Sequence, residues 1–288
     1  MSPGDPVSEN GSAPLRGGAL VTGGARGLGL EIARQLLARG HVVHLTDLDG
    51  ELAQNAAREL GPGAFGSALD VRSFPACRAA ANRIRRRVGS LEVWVNNAGV
   101  LHTGPAWEQD ERTRALMLDV NATGTINGTV AALEPMRAAG HGHIINVISL
   151  AGLIAAPGGA IYSASKHAAI AFSFATLADL RLAGDDAIEI SCVCPDGVWT
   201  PMLLERLDDP DAAAMFTGVM YPPDRVAQRV VALLDSPRPL LVMPRWRGTL
   251  VRVFDALPGL GLRWLKPMLA HGRRRQRGYR RKRERGKL

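Results

Sequence analysis

A chain of 288 residues, 46% hydrophobic and 22% charged, has the composition of a folded globular protein and excludes global disorder; its length suits one large α/β domain better than two small ones. The formal charge of +8 is local: residues 271–288 hold eight Arg and two Lys against one Glu, a balance of +9, which leaves −1 for residues 1–270 and gives the body no basic nucleic-acid-binding character. Three cysteines, Cys77, Cys192 and Cys194, cannot close a disulfide set and lack metal-ligand spacing; they read as buried, reduced thiols of a cytoplasmic protein without a metal.

Residues 1–16 lack the apolar stretch of a secretory signal and read as a flexible, solvated N-terminal arm. From residue 17 to 244 short β-rich runs alternate with helical patterns. The strands are expected at 19–22, 42–46, 65–69, 93–96, 143–148, 188–194 and 240–243, and the helices at 27–39, 50–60, 74–88, 109–138, 161–183 and 223–235. Most of the strands are almost continuously apolar, as strands covered on both faces are. The alternation predicts a single Rossmann-type doubly wound parallel sheet of about seven strands flanked by helices, with ligands bound beyond the carboxyl ends of the strands. The apolar window 144–161 contains Asn146, Ser149 and Pro157 and reads as a buried strand plus loop, not a membrane span.

The first strand runs into Thr22-Gly23-Gly24-Ala25-Arg26-Gly27-Leu28-Gly29 and then a helix. Glycines let a backbone approach a pyrophosphate, and a helix N-terminus offers free N–H groups and the positive end of a dipole. A glycine-rich turn without a ligand would read the same, but Asp47 ends the next strand, where a carboxylate binds adenosine ribose hydroxyls and repels a 2′-phosphate. Two like charges 4 Å apart at an effective dielectric near 20 repel by about 4 kcal/mol. That favours NAD over NADP, although Arg26 offers a 2′-phosphate a partner.

Tyr162 and Lys166 lie at i and i+4, on one face of a helix, in a chain with only three Tyr and four Lys. A phenol titrates near pH 10; an ammonium one turn away and an oxidised nicotinamide would bring it toward neutrality, so that Tyr162 exchanges a proton with an alcohol while hydride moves. Ser149, at the end of the preceding strand, is placed to hydrogen-bond the substrate oxygen. A surface Tyr packed on a Lys stem is the plain alternative for the pair alone.

Taken in order, Thr22-Gly23-x3-Gly27-x-Gly29, Asp70-Val71, Asn96-Asn97-Ala98-Gly99, Asn121, Ser149, Tyr162-x3-Lys166 and Pro195-x-Gly197-Val198-x-Thr200 resemble the short-chain dehydrogenase/reductase family over residues 18–244. The resemblance implies that Asp70 and Val71 contact the adenine and that Asn97, Ala98 and Gly99 line the cofactor groove. It also implies that Asn121 holds a water linking Lys166 to solvent, that Lys166 binds the nicotinamide ribose, and that Pro195, Val198 and Thr200 hold the carboxamide end. Local backbone caps are the competing reading of Asn97 and Asn121. The family has Gly directly after that proline, whereas here Asp196 intervenes, which the resemblance places near the nicotinamide. A homodimer or homotetramer is implied by the same analogy.

Leu101, Leu150, Leu153, Ile154, Trp199, Met202, Leu203, Phe216 and Met220 carry no charge and fit a lipophilic secondary alcohol or ketone, or else are core and subunit contacts. In the basic C-terminal extension, 245–288, Trp246, Leu250, Val253, Phe254 and Leu257 recur at helical spacing, and Leu260, Trp264, Leu265 and Met268 follow in a second helix that Pro267 would limit. An apolar stripe before a basic cluster suits peripheral contact with an anionic membrane at its inner face. Packing on the protein itself, followed by a disordered tail, fits equally. Nucleic acid is disfavoured, since Tyr279 is the one aromatic in the run available for stacking.

Overall fold

The computed structural model describes residues 16–286; the arm expected over 1–16 falls outside them, save Arg16. The elements in chain order are β1 (Arg16–Thr22), α1 (Gly27–Ala38), β2 (His41–Asp47), α2 (Gly50–Leu60), β3 (Ala64–Ala68), α3 (Phe74–Val88), β4 (Leu91–Asn96), α4 (Glu111–Leu118), α5 (Gly124–Ala139), β5 (Gly142–Val147), α6 (Ala160–Leu182), β6 (Ile188–Pro195), β7 (Gly197–Val198), α7 (Pro201–Leu204), β8 (Met220–Tyr221), α8 (Pro223–Val231), β9 (Leu240–Met243), α9 (Arg245–Ala256) and α10 (Pro258–Glu284).

Seven strands form one parallel sheet in the order β3-β2-β1-β4-β5-β6-β9, with helices on both faces. One face packs α1 and α8 through Ile32, Leu36, Val226 and Val230; the other packs α3 and α5 through Ile84, Ala132 and Met136. The strand order reverses between β1 and β4, and that crevice opens beside the glycine-rich turn, where a doubly wound sheet takes its ligand. The expected helix 109–138 is two helices joined by a π-helical turn, Asp119–Thr123. Such one-turn bulges displace side chains from helical register and are frequent at functional sites.

A buried polar network ties α5 and α6 to the sheet. Asn96 donates to Asn146 Oδ1 (2.8 Å), to Thr129 Oγ1 (3.1 Å) and to the Thr125 carbonyl (3.3 Å), while Asn146 donates to Ser173 (2.8 Å). Trp94, wholly buried, donates to Asn96 Oδ1 at 2.7 Å. α5 approaches closely enough for this only because residue 128 is glycine; a Cβ there would overlap Asn96 Oδ1 and crowd Trp94 Nε1.

The extension departs from expectation. α10 runs as one helix from Pro258 through Pro267 to Glu284, so Pro267 does not limit it and residues 271–284 are folded. No helix of the described residues is long and apolar enough to cross a membrane.

Gly128→Ala is expected to lower stability by about 2 kcal/mol or more, through overlap and the unpairing of buried amides. Thermal unfolding checks this; an unchanged midpoint would contradict the network's role.

Candidate active site

At the end of β1, Gly23 (φ +59°) and Gly27 (φ +58°) adopt the left-handed conformation that glycine tolerates. A Cβ at Gly29 would overlap the Gly23 carbonyl, and one at Gly23 would lie 2.9 Å from Ala98 Cα. The turn is clamped to β4: Asn97 donates to the Thr22 and Gly23 carbonyls (3.1 and 2.9 Å), and Thr22 Oγ1 accepts from the Asn97 and Ala98 amides (3.0 Å each). Asn97 therefore shapes the cradle with its side chain. Helices α2, α3 and α4 begin with capping side chains, Asp49, Ser73 and Asp110, whereas α1 begins at Arg26 with none. Its first-turn amides and dipole are left for an anion, and the bare glycine surface gives a pyrophosphate room to reach them. Arg26 is exposed and Leu28 is buried beneath the turn.

Asp47 ends β2 beside β3. Its one close polar contact among the described residues is with the Asp49 amide at 3.5 Å, so its carboxylate is available to ribose hydroxyls. Asp70 is already engaged: Arg72 binds it with Nε and Nη2 (2.9 and 2.7 Å), and these hydrogen bonds hold the carboxyl below the usual range. Val71 is buried, its carbonyl accepting from Asn127 at 2.9 Å.

Asn121 sits in the π-helical turn, wholly buried. Its amide donates to the Val100 carbonyl (2.9 Å) and Ser165 Oγ (3.1 Å) and accepts from the Val100 amide (2.8 Å). Both side-chain donors are thus taken in fixing the end of β4 against α6. Gly99 lies in the gap, where a Cβ would be 3.2 Å from Asn121 Oδ1 and 3.7 Å from Lys166 Nζ.

Ser149 caps a short 3-10 turn, Leu150–Gly152, accepting from the Ala151 amide at 3.1 Å, and its hydroxyl meets that of Tyr162. Lys166 is 4% exposed; its Nζ donates to the Val147 carbonyl at 3.2 Å and lies 5.7 Å from the Tyr162 ring centre. Without a dinucleotide, the neighbouring ammonium does not bring the phenol below its ordinary value. Burial pushes Tyr162 up to about 12, against the opposing Ser149 hydrogen bond, and burial pulls Lys166 down to about 8. At neutral pH the phenol keeps its proton and the ammonium its charge; a positive charge entering the pocket would draw the phenol toward phenolate.

The segment after β6 covers this pocket. β7 pairs with β8, and Thr200 Cγ2 and Pro201 Cδ would each lie 3.4 Å from a Cβ at Gly27, so Thr200 and Pro201 stand over the cradle, while Val198 packs against the core. Of the residues expected around the carbonyl, Met202 is half-buried on α7, whereas Leu150 and Leu153 are core, in the cluster that receives Val251 of α9. Phe216 is wholly buried with Leu203 and Leu207. Trp199 meets Tyr279 of α10 edge-on, ring centres 4.8 Å apart.

Sequence reasoning missed the clasp that α10 forms on this segment. Gln276 donates to the Arg206 and Asp209 carbonyls (2.8 and 2.6 Å), Arg275 to the Thr217 carbonyl (3.3 Å) and to Tyr279, and Arg283 to the Leu204 carbonyl (3.1 Å). Gly272 lets the helix touch Ala213. The signal was the row Gly272, Gln276, Tyr279 at helical spacing inside the arginine run. Asp196 does not present its carboxylate as a free group beside the nicotinamide position; it is nearly buried, pairs with Arg247 of α9 at 2.7 Å and accepts from the Val219 amide at 2.7 Å. Its pKa is raised by burial despite Arg247.

The family model for short chain dehydrogenases matches residues 18–211. The chain belongs to the short-chain dehydrogenase family. It is 36% identical over 225 residues to a cyclopentanol dehydrogenase of Comamonas testosteroni, covering 75% of this chain and 89% of the relative. It is 31% identical over 252 residues to a 3-beta-hydroxysteroid dehydrogenase of the same organism, covering 85% and 96%. A short-chain dehydrogenase/reductase from Burkholderia phymatum, solved in complex with NAD, superposes with a TM-score of 0.77 at 25% identity, covering 87% of this chain and 97% of its own. As a short-chain dehydrogenase the protein is an oxidoreductase acting on CH–OH donors and binding a nicotinamide dinucleotide. The clasp residues on α10 lie beyond the matched region.

Tyr279→Ala is expected to speed backbone hydrogen exchange in 199–218 several-fold while leaving β1–β5 unchanged, because the aromatic contact and the Arg275 geometry go together. Equal exchange in both proteins would contradict the clasp.

Proposed function

We propose that the enzyme interconverts a lipophilic secondary alcohol and its ketone with NAD(H), using Tyr162 as general acid/base. The observation that carries this is that Ser149, Tyr162 and buried Lys166 lie together at the carboxyl edge of the sheet that also carries an uncapped, glycine-lined helix N-terminus. The nicotinamide, when bound, accepts or supplies the hydride. Ser149 hydrogen-bonds the substrate oxygen and fixes it against the Tyr162 hydroxyl, which takes the alcohol proton or returns it to the ketone oxygen. Lys166, held by the Val147 carbonyl, lies within reach of the nicotinamide ribose and supports a phenolate as its own charge is retained. Asn121 holds α6 at its distance from β4, and its π-helical turn is where a water would connect Lys166 to solvent. Val198 and Thr200 hold the carboxamide end, Gly23, Gly27 and Gly29 seat the pyrophosphate, and Val71 with Asp70 bounds the adenine.

Trp199 and Met202 from the covering segment give the substrate an apolar wall without a fixed charge, which supports a lipophilic substrate over a sugar or carboxylate. Relatives named for cyclopentanol and hydroxysteroid substrates support the same class. The free Asp47 carboxylate supports NAD; the exposed Arg26 is the feature that would serve NADP. The three buried, unpaired thiols support a cytoplasmic setting, and the exposed Leu118 and Val130 on α4 and α5 support a homodimer or homotetramer.

Tyr162→Phe is expected to lower turnover across a panel of lipophilic secondary alcohols by roughly a hundredfold or more, with dinucleotide binding retained; wild-type rates in the mutant reject the mechanism. The phenol lies near 12 without cofactor, and the bound oxidised dinucleotide lowers it, so alcohol oxidation, which needs phenolate, should rise with pH and level off well below that value, while ketone reduction, which needs phenol, should fall as pH rises. Initial rates in both directions check this, and pH-independent oxidation contradicts it. NADH is expected to bind more tightly than NADPH, with Asp47→Ala removing the difference; equal affinities in the wild type contradict the assignment.

A further inference from the structure

We propose that the outer face of α9 and the first half of α10, together with the groove along β9, is a docking surface for an anionic lipid bilayer. Helix α9 packs inward through Gly248, against Val242, and through buried Val251. Its opposite face carries Trp246, Leu250, Val253 and Leu257, all exposed, at the 4-3-4 spacing of a single stripe. A helix on the surface of a globular protein ordinarily turns polar side chains outward. The stripe continues past Pro258 with exposed Leu260, Trp264 and Met268, and both tryptophans are 60% exposed. A contiguous apolar surface of this kind marks a contact site, and tryptophan is the residue that settles at a membrane–water boundary.

Charge selects the occupant. Residues 245–274 contain seven Lys or Arg and one acid, Asp255. Beside the stripe, an open groove of about 540 Å³ runs between β9 and α9, floored by Leu240, Val242 and Val253 and edged by Arg238, Arg245 and Arg252. β9 is the last strand of the sheet, so no further strand fills that side. None of the three guanidinium groups has a carboxylate within 4.0 Å among the described residues. Arg245 and Arg252 are seven residues apart and project from one flank of α9. An apolar floor edged by free guanidinium groups matches an acyl chain with an anionic phosphate head. A second copy of the chain would set like charges against each other across the same face. Nucleic acid would leave Leu250, Val253 and Leu257 unmatched. Within the most basic stretch, Arg275, Arg280 and Arg283 are engaged with residues 204–218.

The test uses the full chain and vesicles of phosphatidylcholine alone or mixed with phosphatidylglycerol. The expected result is sedimentation with the mixed vesicles and not with phosphatidylcholine, weakening with salt and accompanied by a blue shift of tryptophan emission. Arg245→Ala with Arg252→Ala should weaken binding roughly thirtyfold, as each basic residue at an anionic surface contributes about fivefold. Trp246→Ala with Trp264→Ala should also weaken it, both variants keeping the wild-type unfolding midpoint and dinucleotide affinity. Wild-type protein remaining in the supernatant with both vesicles, equal binding to both, or undiminished binding by the arginine variant overturns the proposal. So does a fall in solution mass of the tryptophan variant, which would assign the face to a second copy, or tighter retention by an RNA oligonucleotide than by the mixed vesicles.

Discussion

The structure turns on a half-buried phenol and a buried ammonium held side by side. Burial raises Tyr162 to about 12 and lowers Lys166 to about 8, so each is biased toward its neutral form. In bulk solvent the two would interact weakly; in a desolvated pocket any added positive charge acts on the phenol with little screening. A site of this kind is quiet when empty and responsive when charged. That is the property required of a residue that must lose a proton as hydride leaves and regain it in reverse.

Everything around the pair holds it still. Parallel strands end together on one edge, so β1, β4, β5 and β6 deliver the glycine turn, Asn97, Ser149 and Pro195 to a common crevice. Asparagines do much of the joining, because an amide can donate to one backbone carbonyl while accepting from another amide. Asn97 binds β4 to the cradle, Asn121 binds it to α6, and Asn96 and Asn146 knit the layer beneath. Asp196, the departure from the family pattern, is answered by Arg247, which lies outside the matched region. A carboxylate on the covering segment is thereby turned into an anchor for the extension.

Much of this was legible in the sequence. Each of the seven strands of the main sheet was found to within about three residues at either end, because runs buried on both faces leave little room for polar interruption; the two-residue strands β7 and β8 were not. The motifs and strand ends singled out the glycine turn, Asp47 and Ser149, Tyr162 and Lys166, and the fold brings them to one edge of the sheet. What was not legible depends on contacts between distant residues. The spacing of Tyr162 and Lys166 says that they share a face but not that Nζ turns to the Val147 carbonyl or that burial outweighs their attraction. Leu150 and Phe216 are apolar whether they line a substrate or fill a core, and only packing against Val251 and Tyr279 decides for the core. The arginine run reads as a solvated tail because the partners of Arg275 and Arg283 are backbone carbonyls of residues 204–218, which no charge pattern reveals. Pro267 was expected to limit a helix that in fact continues past it.

The most direct measurement is an ultraviolet difference titration of the tyrosines, of which the chain has three, in wild-type and Tyr162→Phe protein, each alone and with saturating oxidised dinucleotide. The account predicts that the phenolate signal missing from the mutant appears near pH 12 in the free protein and shifts several units lower in the complex. A Tyr162 titration unmoved by the dinucleotide would contradict it.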